Sequence, residues 1–154
     1  MTFDEALLER EFPEMSSLTF IDHGGQRRVF SGTHATDGEV VLKVFHPGTD
    51  FGHVLREITV VQHVRSSYIP EILDYGKTCA SFGELCWIRE KRVYRESVRR
   101  ILADGPLESL AVLRLGLQLL EILAATEEAR VVHCDAKPEN ILVTKNGKCH
   151  LIDF

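Results

Sequence analysis

The chain has 154 residues, 44% hydrophobic and 27% charged, with a formal net charge of −5. That is enough chain for one core, and the composition excludes a collagen-like, low-complexity or disordered polypeptide. The acidic balance argues against a general nucleic-acid binder, which needs a basic field over the phosphates.

The elements follow in chain order. Residues 3–11 carry Phe3, Leu7 and Leu8 among acidic residues, which predicts a short leading helix, and an acidic start does not resemble a secretory signal. Residues 18–22, 28–34 and 39–46 are strand-like, with His23-Gly24-Gly25-Gln26 between the first two and the hairpin signal Asp37-Gly38 before the third. Thr49 or Asp50 then caps a helix whose Val54, Ile58, Val61 and Val64 form one apolar stripe, ended by Ser66-Ser67 and Pro70. Two more strands are expected at 71–76 and 84–89, connected by Lys77 to Gly83, followed by a basic helix over 93–103 that stops at Asp104-Gly105-Pro106. A long helix spans about 108–128. Its leucines surround nearly the whole axis, so it should be buried on all sides. Arg114, Gln118 and Glu121 interrupt it, so no membrane span is expected. A loop from Val131 leads to a hairpin, 141–144 and 149–152, around Asn146-Gly147. The order is that of an α+β fold with two lobes.

The four cysteines, Cys79, Cys86, Cys134 and Cys149, form no C-x-x-C pair, which points to a reducing, cytoplasmic setting. His133-Cys134 and Cys149-His150 lack the ligand spacing of a structural zinc site. Arg89, Lys91, Arg92, Arg95, Arg99 and Arg100 form a basic run. Such runs are usually solvated faces, though this one could meet an acidic partner.

The densest chemical signal is His133-Cys134-Asp135-Ala136-Lys137-Pro138-Glu139-Asn140. A carboxylate, an ammonium two residues on and an amide five residues on are the tools of phosphoryl transfer: a base for a hydroxyl, a cation for the moving phosphoryl, and an oxygen ligand for Mg²⁺. Asp153, thirteen residues past Asn140 in Leu151-Ile152-Asp153-Phe154, supplies a second oxygen ligand at a strand end.

These residues resemble the protein-kinase family, in the loop H-x-D-x-K-P-x-N and the first two residues of D-F-G. The resemblance extends upstream to Val40-Val41-Leu42-Lys43 and to Glu57 on the following helix, and covers residues 18–154. It implies a kinase-like α+β fold, with an antiparallel-sheet lobe and leading helix over 1–90 and a partial, mainly helical lobe over 91–154. It also implies roles. Asp135 is the catalytic base and Lys137 a phosphate contact. Asn140 and Asp153 are magnesium ligands. Lys43 binds the α/β-phosphates and Glu57 orients it. Gly24, Gly25 and Val29 belong to the phosphate-covering turn, and Glu90 to the linker where adenine binds. The implied cofactors are ATP and Mg²⁺, and the implied reaction is phosphorylation of Ser/Thr hydroxyls on protein substrates. Lys137 favours that over the related small-molecule phosphotransferases.

Three departures accompany the resemblance. The glycine pattern, counted back from Val29, would put glycines at 22, 24 and 27, where the chain has Asp22, Gly24 and Arg27 with an extra Gly25. Cys134 replaces the arginine that usually receives an activation-loop phosphate, a bond no thiol can make. The sequence ends at Phe154, before the glycine of D-F-G, so it reads as a truncated or split domain. The 108–128 helix should then need a partner chain or the remainder of a large lobe to cover it. The alternative reading is a nucleotide-binding pseudokinase or scaffolding module.

Overall fold

The computed structural model describes residues 4–64, 66–80, 83–93 and 96–154. The element order is α1 (Glu5–Glu11), β1 (Met15–His23), β2 (Arg27–His34), β3 (Gly38–Phe45), α2 (Phe51–His63), β4 (Ile72–Ala80), β5 (Gly83–Lys91), β6 (Glu96–Ser97), α3 (Val98–Asp104), α4 (Ser109–Glu128), β7 (Ile141–Val143) and β8 (Cys149–Leu151). This is the expected α+β arrangement. The chain packs as two compact units, Met1–Arg56 with Glu71–Arg92, and Glu57–Pro70 with Val93–Phe154.

The first unit is built on an antiparallel sheet in the order β1-β2-β3-β5-β4. The β2–β3 hairpin turns through Asp37-Gly38, where Gly38 takes φ +71, a conformation that favours glycine. One face of the sheet is the core: Leu8, Met15, Leu18, Phe30, Val40, Leu42, Val44 and Leu85, with Phe12 packed edge-on to Trp87 at 5.6 Å. Asp4 caps α1 by accepting from Leu7 N at 2.9 Å. Glu9 and Glu5 on that helix accept from Leu18 N and Phe20 N of β1 at 2.9 and 3.1 Å, so the outer edge of the sheet is closed by carboxylates. Asp50 accepts from Gly52 N at 3.1 Å at the start of α2, in the capping place expected.

β4 and β5 run further than expected. The segment read as a connection is a paired ladder, Lys77↔Cys86, Thr78↔Leu85 and Cys79↔Glu84, reinforced by a Lys77–Glu84 ion pair at 2.7 Å. Ser81 and Phe82, in the same predicted connection, lie outside the described residues.

In the second unit, α3 begins at Val98 within the helix expected over 93–103, of which residues 94 and 95 lie outside the described residues. The reason is local: Ser97 caps it by accepting from Arg100 N, and Glu96–Ser97 pair with Val143 and Leu142 as β6. Much of the basic run is paired with this chain's own acids: Arg89 with Asp37 and Asp74, Arg92 with Glu39, Arg100 with Asp104. Arg95 lies outside the described residues.

α4 lays Leu115, Leu119 and the fully buried Ile122 against Cys149, Leu151 and Ile141. Gln118 clamps the hairpin with both ends of its amide, donating to Gly147 O and accepting from Cys149 N at 2.9 Å each. The other faces of α4 are exposed, as at Leu110, Leu113, Leu117 and Leu120. By length and composition α4 is apolar enough to cross a membrane, which corrects the sequence expectation. Arg114 and Glu121 are its only charges before Glu127, too few to disqualify it. A core helix meets the same criterion.

All four cysteines are free thiols. Burial pushes the Cys149 thiol up to about 11 and also raises Cys86. A raised thiol pKa means less thiolate at a given pH, and thiolate is the reactive form. Iodoacetamide at pH 8 is therefore expected to label the exposed Cys79 and Cys134 first, and Cys149 only after denaturation. Peptide mapping of the alkylated chain checks this, and early labelling of Cys149 would contradict its burial.

Candidate active site

In the first unit the candidate residues lie on one face of the sheet. Strand alternation places side chains i and i+2 on the same side. Val29, Lys43 and Ile88 are register partners across β2, β3 and β5 and form one row. Ser31, Val41 and Glu90 form the next. Lys43 is buried, and its Nζ donates to Glu90 Oε1 at 2.7 Å. Glu90, read from sequence as a linker residue, lies within β5 and is itself buried. The β1–β2 turn carries Gly24 and Gly25, and Gly24 N donates to Arg27 O at 2.9 Å. A Cβ on Gly25 would meet nothing within 4 Å, so the turn is open to an approaching group. Glu57, on α2, is half-buried and belongs to the other unit.

In the second unit the candidate residues lie in the loop 131–140 and just after β8. Lys137 Nζ donates to Asp135 Oδ2 at 2.6 Å, and Asn140 Nδ2 donates to the same oxygen at 3.1 Å and to Asp135 O at 3.0 Å. The Lys137 bond, ahead of the Asn140 bond, holds the Asp135 carboxyl below its ordinary range, and Asp135 raises Lys137 in return. Asp135 is thus a carboxylate at neutral pH, and both of these contacts fall on Oδ2 rather than Oδ1. Asn140 spends its NH₂ on Asp135, so its carbonyl oxygen is the end left to accept. Ile152 N donates to Asn140 O at 3.0 Å, which brings the next residue, Asp153, beside Asn140. A carbonyl and a carboxylate oxygen are the hard donors that Mg²⁺ prefers, so the residues present fit that ion.

His133 opens the 133–140 motif. The structure gives it a tie at each end. Nε2 lies 2.8 Å from Ile152 O, which can only accept, so Nε2 carries the proton; Nδ1 then accepts from Asp135 N at 3.2 Å. The ring also packs on Phe154 at 4.4 Å. One histidine therefore joins the Asp135 loop to the Asp153 segment. Cys134 and Asp153 hold φ of 62° and 64°. Non-glycine residues rarely enter that region, and such positions cluster where the surrounding structure dictates geometry.

Comparison with known proteins places these arrangements in context. A family model described as "Protein kinase domain" matches residues 16–154. The chain is 30% identical to the serine/threonine-protein kinase pkn2 of Myxococcus xanthus over 160 residues, 98% of this chain and 18% of that protein. It is 28% identical to the serine/threonine-protein kinase PknD of Mycobacterium tuberculosis, over 94% of this chain and 22% of that one. It is 31% identical to the mitogen-activated protein kinase spk1 of Schizosaccharomyces pombe, over 96% and 41% respectively. The chain thus spans less than half the length of these relatives.

Proposed function

Given that the chain belongs to the protein kinase family, we propose that it takes part in ATP- and Mg²⁺-dependent phosphorylation of Ser/Thr hydroxyls on protein substrates. The observation that carries this reading is the Asp135–Lys137–Asn140 cluster, in which one carboxylate is ionised and oriented by an ammonium and an amide. Asp135 Oδ1 accepts the proton of the attacking hydroxyl. Lys137 remains cationic beside it and stabilises negative charge developing on the transferred group. Asn140 and Asp153 would hold Mg²⁺, which when bound neutralises phosphate charge. Lys43, on the sheet face with Val29, contacts phosphate oxygens, and the open Gly24-Gly25 turn offers backbone amides to them. Glu57 is proposed as a second carboxylate serving Lys43. The exposed face of α4 is covered, in the active form, by further protein.

Titration of ATP with and without Mg²⁺, in the wild type and in Lys43→Met, tests the nucleotide site. Affinity should fall on removing either the ion or the ammonium. Equal affinities in all four conditions would overturn the assignment.

A further inference from the structure

Lys43 carries a 2.7 Å bond to a carboxylate of its own sheet, a contact that nothing in the motif pattern announces. The register explains how it forms. Lys43 faces Ile88 and Val41 faces Glu90, so Lys43 and Glu90 are diagonal neighbours on one face of β3 and β5. Such neighbours sit about 7–8 Å apart at the backbone, within reach of two long side chains. Both charged ends are nearly removed from water, with side-chain exposures of 6% and 10%. Ile88 and Val29 flank the lysine along its row.

Stability alone does not account for this pair. Desolvating two charges offsets much of their attraction, and a well-packed apolar pair in the same place is often as stable or more so. What the pair does provide is a charged ammonium held in one direction. A desolvated lysine without a carboxylate drifts towards its neutral form and many rotamers. An ammonium carries three donors, and Glu90 takes one of them. Because Glu90 sits on β5, hydrogen-bonded directly to β3, the hold is built into the rigid sheet.

We infer that Glu90 is a positioning residue for Lys43, fixing its ammonium for phosphate recognition from within the sheet; this rests on the nucleotide-binding reading of Lys43. The prediction is a loss of Mg²⁺-ATP affinity of roughly tenfold or more in Glu90→Leu, the scale of a lost hydrogen bond to a charged group. Glu90→Gln, which keeps an acceptor but not the charge, should fall between wild type and Glu90→Leu.

A double-mutant cycle shows whether the effect passes through Lys43. In the Lys43→Met background, Glu90→Leu should change affinity little, and the double variant removes both buried charges, so it should fold even where Glu90→Leu alone does not. An equal loss in both backgrounds would overturn the inference. An independent readout needs no nucleotide: relaxation of the ¹³Cε-labelled lysines. Lys43 Cε should be rigid in the wild type and should loosen towards the exposed Lys145 in Glu90→Leu and, less so, in Glu90→Gln. Unchanged Lys43 order in both would overturn the inference. If the wild type bound no nucleotide while Lys43 still loosened, the nucleotide reading would fall, and with it the purpose assigned to the pair but not the hold itself.

Discussion

Asp135→Asn should lower phosphoryl transfer by about 10²–10⁴, the usual contribution of a positioned general base, while leaving Mg²⁺-ATP affinity within a factor of about two to three, a margin of only ~0.6 kcal/mol. The asymmetry follows from the site. The amide is the same size as the carboxylate and can still contact Lys137 and Asn140, so the loop 131–140 keeps its shape. What it loses is the proton acceptor, Oδ1, which in the structure is turned away from the Lys137 and Asn140 bonds on Oδ2. The pH dependence of the wild type should agree. Lys137 depresses the Asp135 carboxyl, so the base form is complete at neutral pH and is lost only as pH falls through that lowered value. The measurement is transfer of γ-labelled phosphate to a protein acceptor, beside equilibrium nucleotide binding by both forms. Unchanged turnover would remove Asp135 from the role of base; binding lost with turnover would show that the residue supports the loop instead.

The parts of this fold that could be read from sequence are those with a strong local signal. The β-branched run 39–46, the Asp37-Gly38 turn, the apolar stripe of α2 and the length of α4 each appear near their expected bounds. The misreadings came where a weak local signal met a tertiary one. Residues 93–103 are expected as a basic helix, yet Ser97 is a capping residue and Glu96 and Ser97 pair with Val143 and Leu142, 47 and 45 positions away in sequence. The family resemblance places Glu90 at the linker between lobes, after the Leu85-Cys86-Trp87-Ile88 strand. Alternation from Ile88 would have put it on the lysine's side of the sheet, and that signal was available. The tie made by His133 was not available, because its partner is the carbonyl of Ile152, and a carbonyl has no side-chain identity. The left-handed backbone at Cys134 was equally hidden, since nothing about cysteine announces that conformation.

Residues 1–154 on their own should self-associate and bind an apolar dye, through α4. Leu113, Leu117 and Leu120 fall at i, i+4 and i+7 on one stripe and are 65%, 64% and 63% exposed. Covering each would contribute up to roughly 1.5–3 kcal/mol. Three together are comparable with the ~5–15 kcal/mol that holds an ordinary domain folded. Water therefore drives this stripe towards any apolar surface available, and in a pure sample that surface is another copy. Replacing all three with glutamine should reduce dye fluorescence several-fold and shift light scattering towards the monomer. The melting temperature should hold, because these side chains are mostly exposed. The opposite stripe behaves differently. Ile122 is fully buried against Cys149 and Leu151, so Ile122→Ala should cost about 2–5 kcal/mol of stability, with the hairpin β7–β8 losing its support. The contrast between the two stripes is the decisive comparison. A dye-silent, monodisperse wild type, or a triple-glutamine variant that melts as early as Ile122→Ala, would show that the leucine stripe is covered in solution by this chain itself.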